Sequence, residues 1–193
     1  TPNLFETGNS STLVPGGGLT AYWSFEDGSG SSTKDWTRNG YNGVFMSADT
    51  SPQWSTEIPP LLTGKSSFSL KFDGSNDYIN LSPTMNYFPY NKEFSFTAWY
   101  KSASSSLVDD QYIYTHYGSN NTLIFGPTDD LGFEPSPLRL HDDTPIRGVR
   151  DVVDQQWHHL AGVRIGDRVK LYVDGVLDKD ELDNSVMDPN VLN

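Results

Sequence analysis

Apolar and polar residues alternate most regularly between positions 157 and 177. Val169, Leu171 and Val173 are separated by more polar residues, which is the period of a strand that buries one face. A turn is expected at positions 166 and 167, and Asp174-Gly175 is the residue pair that a two-residue type I′ hairpin favours. This stretch therefore predicts strands joined by short turns in an antiparallel, all-β fold.

Other alternating runs predict further strands along the chain. They lie at 19–25, 68–72, 78–81, 94–100, 111–115, 122–125 and 138–140. The apolar members expected to face the core are Trp23, Phe25, Phe68, Leu70, Phe72, Tyr78, Phe94, Phe96, Ala98 and Tyr100. Between these runs, residues 44–63 carry three prolines and one tryptophan, Trp54. That segment predicts a long surface connection anchored by a single ring.

The negative net charge disfavours some classes of binding partner. With 13 basic and 25 acidic residues, the chain carries a net charge of −12, so it would repel phosphate backbones and anionic lipid surfaces. We therefore expect no nucleic-acid partner, whereas cations and neutral sugars remain candidates. Direct membrane insertion is not expected either, because no run approaches the roughly 20 apolar residues of a membrane span.

Length and local composition predict one domain preceded by an arm. A chain of 193 residues can bury a core without disulfides, and cysteine is absent. Residues 1–18 offer few apolar groups and many glycines and hydroxyl residues, which predicts a flexible linker or arm. The domain is expected to span 19–193. The acidic, cysteine-free, Ser/Thr/Asn-rich composition favours an extracellular or cell-surface location.

Four sequence blocks follow one another in order along the chain. They are Ala21-Tyr-Trp-Ser-Phe-Glu-Asp-Gly-Ser-Gly30 followed by Asp35 and Asn39-Gly-Tyr-Asn-Gly43; the segment 64–81 with Phe72-Asp-Gly-Ser-Asn-Asp77; Phe94-Ser-Phe-Thr-Ala-Trp-Tyr100; and Trp157-His-His-Leu-Ala161 with Leu171-Tyr-Val-Asp-Gly175. Together, these blocks resemble the bacterial laminin G-like domains of the concanavalin A-like lectin/glucanase superfamily. The resemblance implies two curved antiparallel sheets, packed face to face as a jelly-roll sandwich.

The same resemblance implies closing strands after the hairpin at Asp174. Such domains continue with two or three strands, whereas here a polar run begins at Asp178 and the chain ends at Asn193. An open slot would leave a row of unpaired backbone groups. We therefore expect a jelly roll that lacks its closing C-terminal strands in this chain and is completed from outside, by a partner chain or by a removed piece of the same protein.

Motifs for catalysis are absent from the sequence. Glucanases of this superfold use closely spaced carboxylates that project from one face of a strand, and no Glu-x-Asp-x-x-Glu or similar array occurs here. His158 and His159 are neighbours on a predicted strand, so they point to opposite faces and are not expected to share a metal ion. His116 and His141 are expected to have surface or loop roles. We expect a non-catalytic domain.

The loop at 26–43 is the candidate metal site. It combines glycines with oxygen-bearing side chains, and Ca²⁺ takes about six to eight oxygen ligands, including backbone carbonyls. We expect calcium there with Glu26, Asp35 and Asn39 as ligands, and the resemblance also implies calcium. The alternative is that the Asp and Asn residues form Asx-turns. Asp73 and Asp77 are expected to be turn residues.

Aromatic rings in loops would form the sugar-binding surface of a lectin. The candidates are Trp36, Tyr41, Trp54, Tyr87, Tyr90 and Tyr117. For any single ring, packing over an edge of the core is the favoured interpretation. The ligand-binding residues are therefore unknown from the sequence.

These observations predict a non-catalytic recognition or adhesion domain that binds carbohydrate or a surface protein, with calcium. The alternative is a structural subunit of a surface assembly, such as a pilin-like filament, whose arm and closing strands engage neighbouring subunits. A glycoside hydrolase is the least favoured of the three hypotheses, because its carboxylate array is missing.

Overall fold

The computed structural model describes residues 18–47, 52–62, 64–81, 93–105, 111–117, 122–127, 138–140 and 146–182. The chain divides into two compact units, one up to position 87 and one from position 88. The arm predicted at 1–18 and the closing end of the roll lie almost entirely outside the described ranges, so both stay predictions. In the described part of the chain, no helix is long and apolar enough to cross a membrane.

Strands dominate the regular structure of these ranges, beside one short 3₁₀ helix at Pro60–Leu62. In chain order they are β1 (Ser32–Thr33), β2 (Gly43–Met46), β3 (Gln53–Ser55), β4 (Ser69–Lys71), β5 (Tyr78–Asn80), β6 (Phe94–Tyr100), β7 (Tyr114–Tyr117), β8 (Thr122–Pro127), β9 (Leu138–Leu140), β10 (Ile146–Arg147), β11 (His158–Ile165), β12 (Arg168–Val173) and β13 (Val176–Leu182). All their pairings are antiparallel. The predicted all-β, antiparallel class is confirmed.

The unit from position 88 contains two four-stranded sheets with a shared core. Their strand orders are β13-β12-β11-β6 and β10-β9-β8-β7. The buried core residues are Phe125, Ile146, Val152, Val153, Leu160, Val169, Leu171 and Val173. The ring of Phe96 on β6 stacks on that of Phe125 on β8, with the centroids 5.9 Å apart. The inner faces of the two sheets therefore meet, as in a sandwich, and the predicted inward positions of β6 are confirmed.

The hairpins predicted between 157 and 177 are confirmed. Strands β11 and β12 pair from Leu160↔Val173 to Ile165↔Arg168. Asp174 and Gly175 have φ values of 53° and 76°, as the two central residues of a type I′ turn require. Beyond this turn the polar run from 178 does not leave the sheet, because β13 pairs with β12 as far as Leu182.

The unit up to position 87 contains smaller sheets, ordered β1-β2-β5 and β3-β4. The surface connection predicted at 44–63 is wrong, because β3 and most of β2 lie within it. Phe45 is buried in β2, and the Trp54 ring lies 5.5 Å from the Phe45 ring. The predicted anchoring role of Trp54 is confirmed, since its indole N–H also donates to the Gly30 carbonyl at 2.9 Å.

The strand predicted at 19–25 is also wrong. Only an isolated bridge between Trp23 and Asp35 connects this segment to its surroundings as a strand would. The left-handed φ of 56° at Phe25 breaks the extended run, and the hydrogen bond from the Trp36 backbone N–H to the Tyr22 carbonyl belongs to that single bridge. Trp23 and Phe25 are half-buried rather than core residues.

Two predicted inward positions face solvent. Phe72 is 42% exposed and Tyr78 is 53% exposed. Strand β4 ends at Lys71, so its alternation does not extend to Phe72. In β5 the following residue, Ile79, turns inward and lies over Gly43, where a side chain would collide with it. The faces of β5 are therefore opposite to those predicted.

Candidate functional site

A buried carboxylate organises the loop between positions 20 and 43. Asp35 is only 2% exposed. Its Oδ1 accepts from the backbone N–H groups of Tyr22 at 3.2 Å and Thr37 at 2.9 Å, and its Oδ2 accepts from that of Tyr41 at 3.2 Å. The Thr37 hydroxyl lies within 2.8 Å of both oxygens. Burial alone would raise the pKa of Asp35, but these hydrogen bonds outweigh it and lower the pKa.

The other two predicted calcium ligands hold different parts of the loop. The Glu26 carboxylate accepts from the Ser67 backbone N–H at 2.9 Å and from the Ser66 hydroxyl. The Asn39 side-chain amide donates to the Thr20 carbonyl at 2.9 Å. In the described ranges, no group of three or more His, Asp or Glu side chains is placed to hold a metal ion. Calcium at Glu26, Asp35 and Asn39 stays a prediction.

The aspartates of the 73–77 segment close a turn, as predicted. Asp73 Oδ1 accepts from the Ser75 backbone N–H at 2.8 Å, which is the Asx-turn pattern. Asp77 Oδ2 accepts in turn from the Asp73 backbone N–H at 2.9 Å. Both carboxylates are thus committed to local backbone geometry.

A shallow groove of about 420 Å³, lined by polar residues and one glycine, lies on the surface of the 27–42 loop. Its lining includes Asp27, Ser32, Lys34, Asp35, Arg38 and Asn42. The Lys34 ammonium lies 4.7 Å from the centroid of the Trp36 ring, and Trp36 is 36% exposed. The groove therefore adjoins an accessible aromatic ring and presents both hydrogen-bond donors and acceptors, which is the chemistry that a polyhydroxylated ligand needs.

The remaining aromatic candidates are mostly committed to packing or fall outside the described residues. Tyr41 is half-buried, and its carbonyl accepts from the Trp23 indole at 2.7 Å. Trp54 is held by Phe45 and Gly30, as described above. Positions 87 and 90 lie outside the described ranges, as does His141, and Tyr117 lies at the end of β7.

Lys34 and Arg38 were missed by the sequence analysis. The net charge of −12 favours cations and neutral sugars as ligands, so it gives no reason to select basic residues. A lone lysine or arginine in a loop is also normally a solvated surface residue. The available signal was their spacing on either side of Trp36, which places two cations within two residues of a loop aromatic ring.

The His158-His159 pair has a structural role, as predicted. His158 Nδ1 lies 2.8 Å from Asp174 Oδ2, and its Nε2 lies 3.0 Å from Asp154 Oδ1. His159 points elsewhere, with its ring 5.3 Å from that of Trp99. Burial alone would lower the pKa of His158, but the hydrogen bonds and charges of the two aspartates outweigh it and raise the pKa. His158 and the two aspartates, here called the His158 bracket, thus connect β11 to the turn between β12 and β13.

This bracket predicts a pH-dependent contribution to stability. The raised pKa of His158 means that its contribution is full below the unfolded value of about 6.5 and is lost as pH rises through the folded pKa. The lowered pKa values of Asp154 and Asp174 mean that theirs is full above about 3.9 and is lost as pH falls through the folded pKa. Stabilisation is therefore greatest between about pH 4 and 6.5.

We expect His158→Gln to lower the free energy of unfolding by about 1 kcal/mol near pH 5.5 and by much less at alkaline pH. The estimate is small because the two carboxylates are 42% and 47% exposed and are screened by solvent. Urea unfolding at a series of pH values checks this. His159→Gln is the control, because burial lowers the pKa of His159, so its loss should show the opposite pH trend. An offset for His158→Gln that is constant with pH would contradict the bracket.

Comparisons with known proteins identify relatives by family and by fold. A family model described as the concanavalin A-like lectin/glucanases superfamily matches residues 73–190, which is more than half of the chain. No curated protein matches the chain. Domain 4 of AbnA, a GH43 extracellular arabinanase from Geobacillus stearothermophilus, solved in complex with arabinotriose, is similar with a TM-score of 0.63 and 20% identity, covering 85% of this chain and 75% of that one.

A second solved structure, an S-layer domain-containing protein from Clostridium thermocellum, has a TM-score of 0.47 and 21% identity, covering 83% of this chain and 71% of that one. At these identities, similarity is evidence of fold alone, and only the arabinanase domain is close enough to support that argument.

Proposed function

Because the chain belongs to the concanavalin A-like lectin/glucanases superfamily, we propose that it is a non-catalytic recognition domain that binds carbohydrate outside the cell or at its surface. The superfamily fold is compatible with both binding and hydrolysis, so the proposal must rest on the site rather than on the fold. The similar arabinanase domain is part of an extracellular enzyme and was solved with a bound oligosaccharide, which supports both the ligand class and the location.

The observation that carries the proposal is the accessible Trp36 ring beside the polar groove. An indole face can stack on the apolar face of a sugar, while groove donors and acceptors bind the hydroxyl groups around the ring. The Trp36 backbone is fixed because its N–H donates to the Tyr22 carbonyl at 2.9 Å. The Asp35 hydrogen bonds hold the same segment, so the ring is presented on a preorganised loop.

We expect Trp36→Ala to weaken oligosaccharide binding about tenfold or more, because it removes the stacking surface and leaves the groove donors in place. Isothermal titration of arabinotriose, followed by a panel of neutral and acidic oligosaccharides, measures the effect. Because Trp36 is only 36% exposed, the substitution also removes packing, so the thermal unfolding of the variant is measured and the titrations are run well below its midpoint.

Tyr78→Ala is the matched control, since Tyr78 is an exposed aromatic residue on β5 that does not line the groove. Its binding should equal that of the parent protein. If Trp36→Ala binds every saccharide as tightly as the parent, the groove is not the site. Repeating the titrations with calcium and with a chelator checks the calcium prediction, in which Glu26, Asp35 and Asn39 are the ligands.

The proposal of a non-catalytic domain is supported by the carboxyl groups. A glycosidase needs an acid whose pKa is raised towards neutrality, at a fixed distance from a second carboxylate. Among the described carboxyl groups, those of Asp35, Asp154, Asp174 and Asp180 have pKa values below the ordinary value for aspartate. Such groups serve as charged acceptors at neutral pH rather than as proton donors.

The alternative hypothesis, a filament subunit whose sheet is completed by another chain, is less favoured by the edge strand β13. This strand carries a register shift opposite Leu171 and Tyr172, and Lys179, Asp180 and Glu181 follow the shift. Bulges and charged side chains on an edge strand disfavour pairing with a further strand. Completion of the roll by a partner chain therefore stays a prediction.

A further inference from the structure

The charged side chains that line the groove differ in how many hydrogen bonds they already make with the protein. Asp35 faces inward to four protein donors, as described above. Asp27 Oδ2 accepts from the Thr33 hydroxyl at 3.1 Å and from the Lys34 backbone N–H at 3.3 Å. Hydrogen bonds from the protein therefore occupy acceptor oxygens of both carboxylates, although they do not cancel the negative charges.

The two cations are differently placed. Lys34 has its ammonium over the Trp36 ring, 4.7 Å from the centroid, in a cation–π contact. Arg38 is exposed and lines the groove. No carboxylate of the described ranges forms an ion pair with either cation. The groove therefore carries two negative and two positive formal charges, and its two cations are the charges without an ion-pair partner in the described ranges.

The backbone at Arg38 is held in an unfavourable conformation. Its φ of 70° lies in the left-handed region, which non-glycine residues enter only when neighbouring contacts impose it. Those contacts come from Asn39, whose backbone N–H donates to the Thr37 hydroxyl at 3.3 Å and whose side chain donates to the Thr20 carbonyl. These contacts fix the backbone that carries the Arg38 side chain.

We propose that the groove is specific for an acidic saccharide, one whose sugar units carry a carboxylate. The Arg38 guanidinium, with its fork of N–H donors, binds the ligand carboxylate. Lys34, whose ammonium lies beside the groove at the Trp36 ring, makes a second charged contact with that carboxylate. The inference rests on the proposed function and reverses the expectation of a neutral sugar that the net charge alone supports.

The test compares a trimer of galacturonic acid with the same trimer after reduction of its carboxyl groups to alcohols. We expect the acidic trimer to bind about tenfold more tightly at low ionic strength, and we expect salt to remove most of this preference. Arg38→Gln and Lys34→Gln should each reduce the preference, measured as the ratio of the affinity for the acidic trimer to that for the reduced trimer. Lys65→Gln, at an exposed lysine outside the groove, is the matched control and should keep it.

Equal affinity for the acidic and reduced trimers would overturn the inference and leave the proposed function standing. A preference that survives Arg38→Gln and Lys34→Gln together would also overturn it, because the selecting charges would lie elsewhere. Failure to bind any saccharide, neutral or acidic, would overturn the proposed function and the inference with it.

Discussion

Asp35→Ala is expected to lower the free energy of unfolding by about 3 kcal/mol, because it leaves buried donors without an acceptor. Asp35 is the common acceptor for Tyr22, Thr37 and Tyr41, which lie on three different parts of the 20–43 loop. Removal of its carboxylate frees all three at once. No other side chain in the described part of this loop accepts from so many of its segments.

Hydrogen exchange is the measurement that localises the effect. The amides of Tyr22, Thr37 and Tyr41 should lose protection in Asp35→Ala, whereas those of β11 and β12 should keep it. Asp35→Asn should be intermediate, since the amide keeps one acceptor but presents an N–H₂ group to donors. Asp27→Ala is the control, because Asp27 is exposed and accepts through one oxygen only, and it should cost well under about 1 kcal/mol.

The lowered pKa of Asp35 adds a pH signature to the same experiment. Its contribution to stability is present above the unfolded pKa and is lost as pH falls through the folded pKa. The difference in stability between the parent and Asp35→Ala should therefore shrink only at strongly acidic pH. A difference below about 1 kcal/mol at neutral pH, with exchange unchanged, would show that the loop does not depend on this carboxylate.

The parts of the fold that sequence predicted are those specified by neighbouring residues. The alternation of Val169, Leu171 and Val173 and the turn pair Asp174-Gly175 both act within a few positions, so the local pattern is sufficient. The prediction of a strand at 19–25 is wrong, because contacts with residues distant in sequence fix the backbone of this segment. There, the Tyr22 backbone is bonded to Asp35 and Trp36, which lie 13 and 14 positions away.

The candidate site shows the same limit. Glu26, Asp35 and Asn39 were selected because their oxygens suit calcium, but the sequence does not show which donors will surround each oxygen. Asp35 meets backbone N–H groups from both sides of the loop, and Glu26 meets Ser66 and Ser67, 40 and 41 positions away. Lys34 and Arg38 were missed because only the folded loop shows that they line a groove beside Trp36.

Gly126→Ala is expected to destabilise the unit from position 88 by about 3 kcal/mol, because the added methyl group would collide with backbone. Gly126 lies in β8, where the segment 111–113 runs alongside it: the Ile113 N–H donates to the Phe125 carbonyl at 2.9 Å and the Gln111 N–H to that of Pro127 at 3.2 Å. A Cβ at Gly126 would lie closer than 3.0 Å to the Gln111 carbonyl oxygen. A carbonyl held in this way cannot rotate aside as a flexible side chain can.

The collision should spread to the core of this unit. Gln111 accepts a hydrogen bond from the Tyr100 hydroxyl at 2.5 Å, and burial raises the pKa of Tyr100 to about 12, which keeps that donor protonated. Phe125, beside Gly126, is 1% exposed and stacks on Phe96. A displaced Gln111 therefore disturbs contacts from β8 to β6, and urea unfolding monitored by hydrogen exchange in β6, β8 and β11 should record the loss.

Gly166→Ala is the matched control within the same unit. Gly166 has a φ of 60° and nothing within 4 Å of the position where its Cβ would be, so alanine there adds backbone strain of about 1 kcal/mol without a collision. The excess cost of Gly126→Ala over Gly166→Ala measures the close approach of segment 111–113. If the two substitutions cost the same, that segment does not pack on Gly126, and the hydrogen bonds at Gln111 and Ile113 cannot both be present.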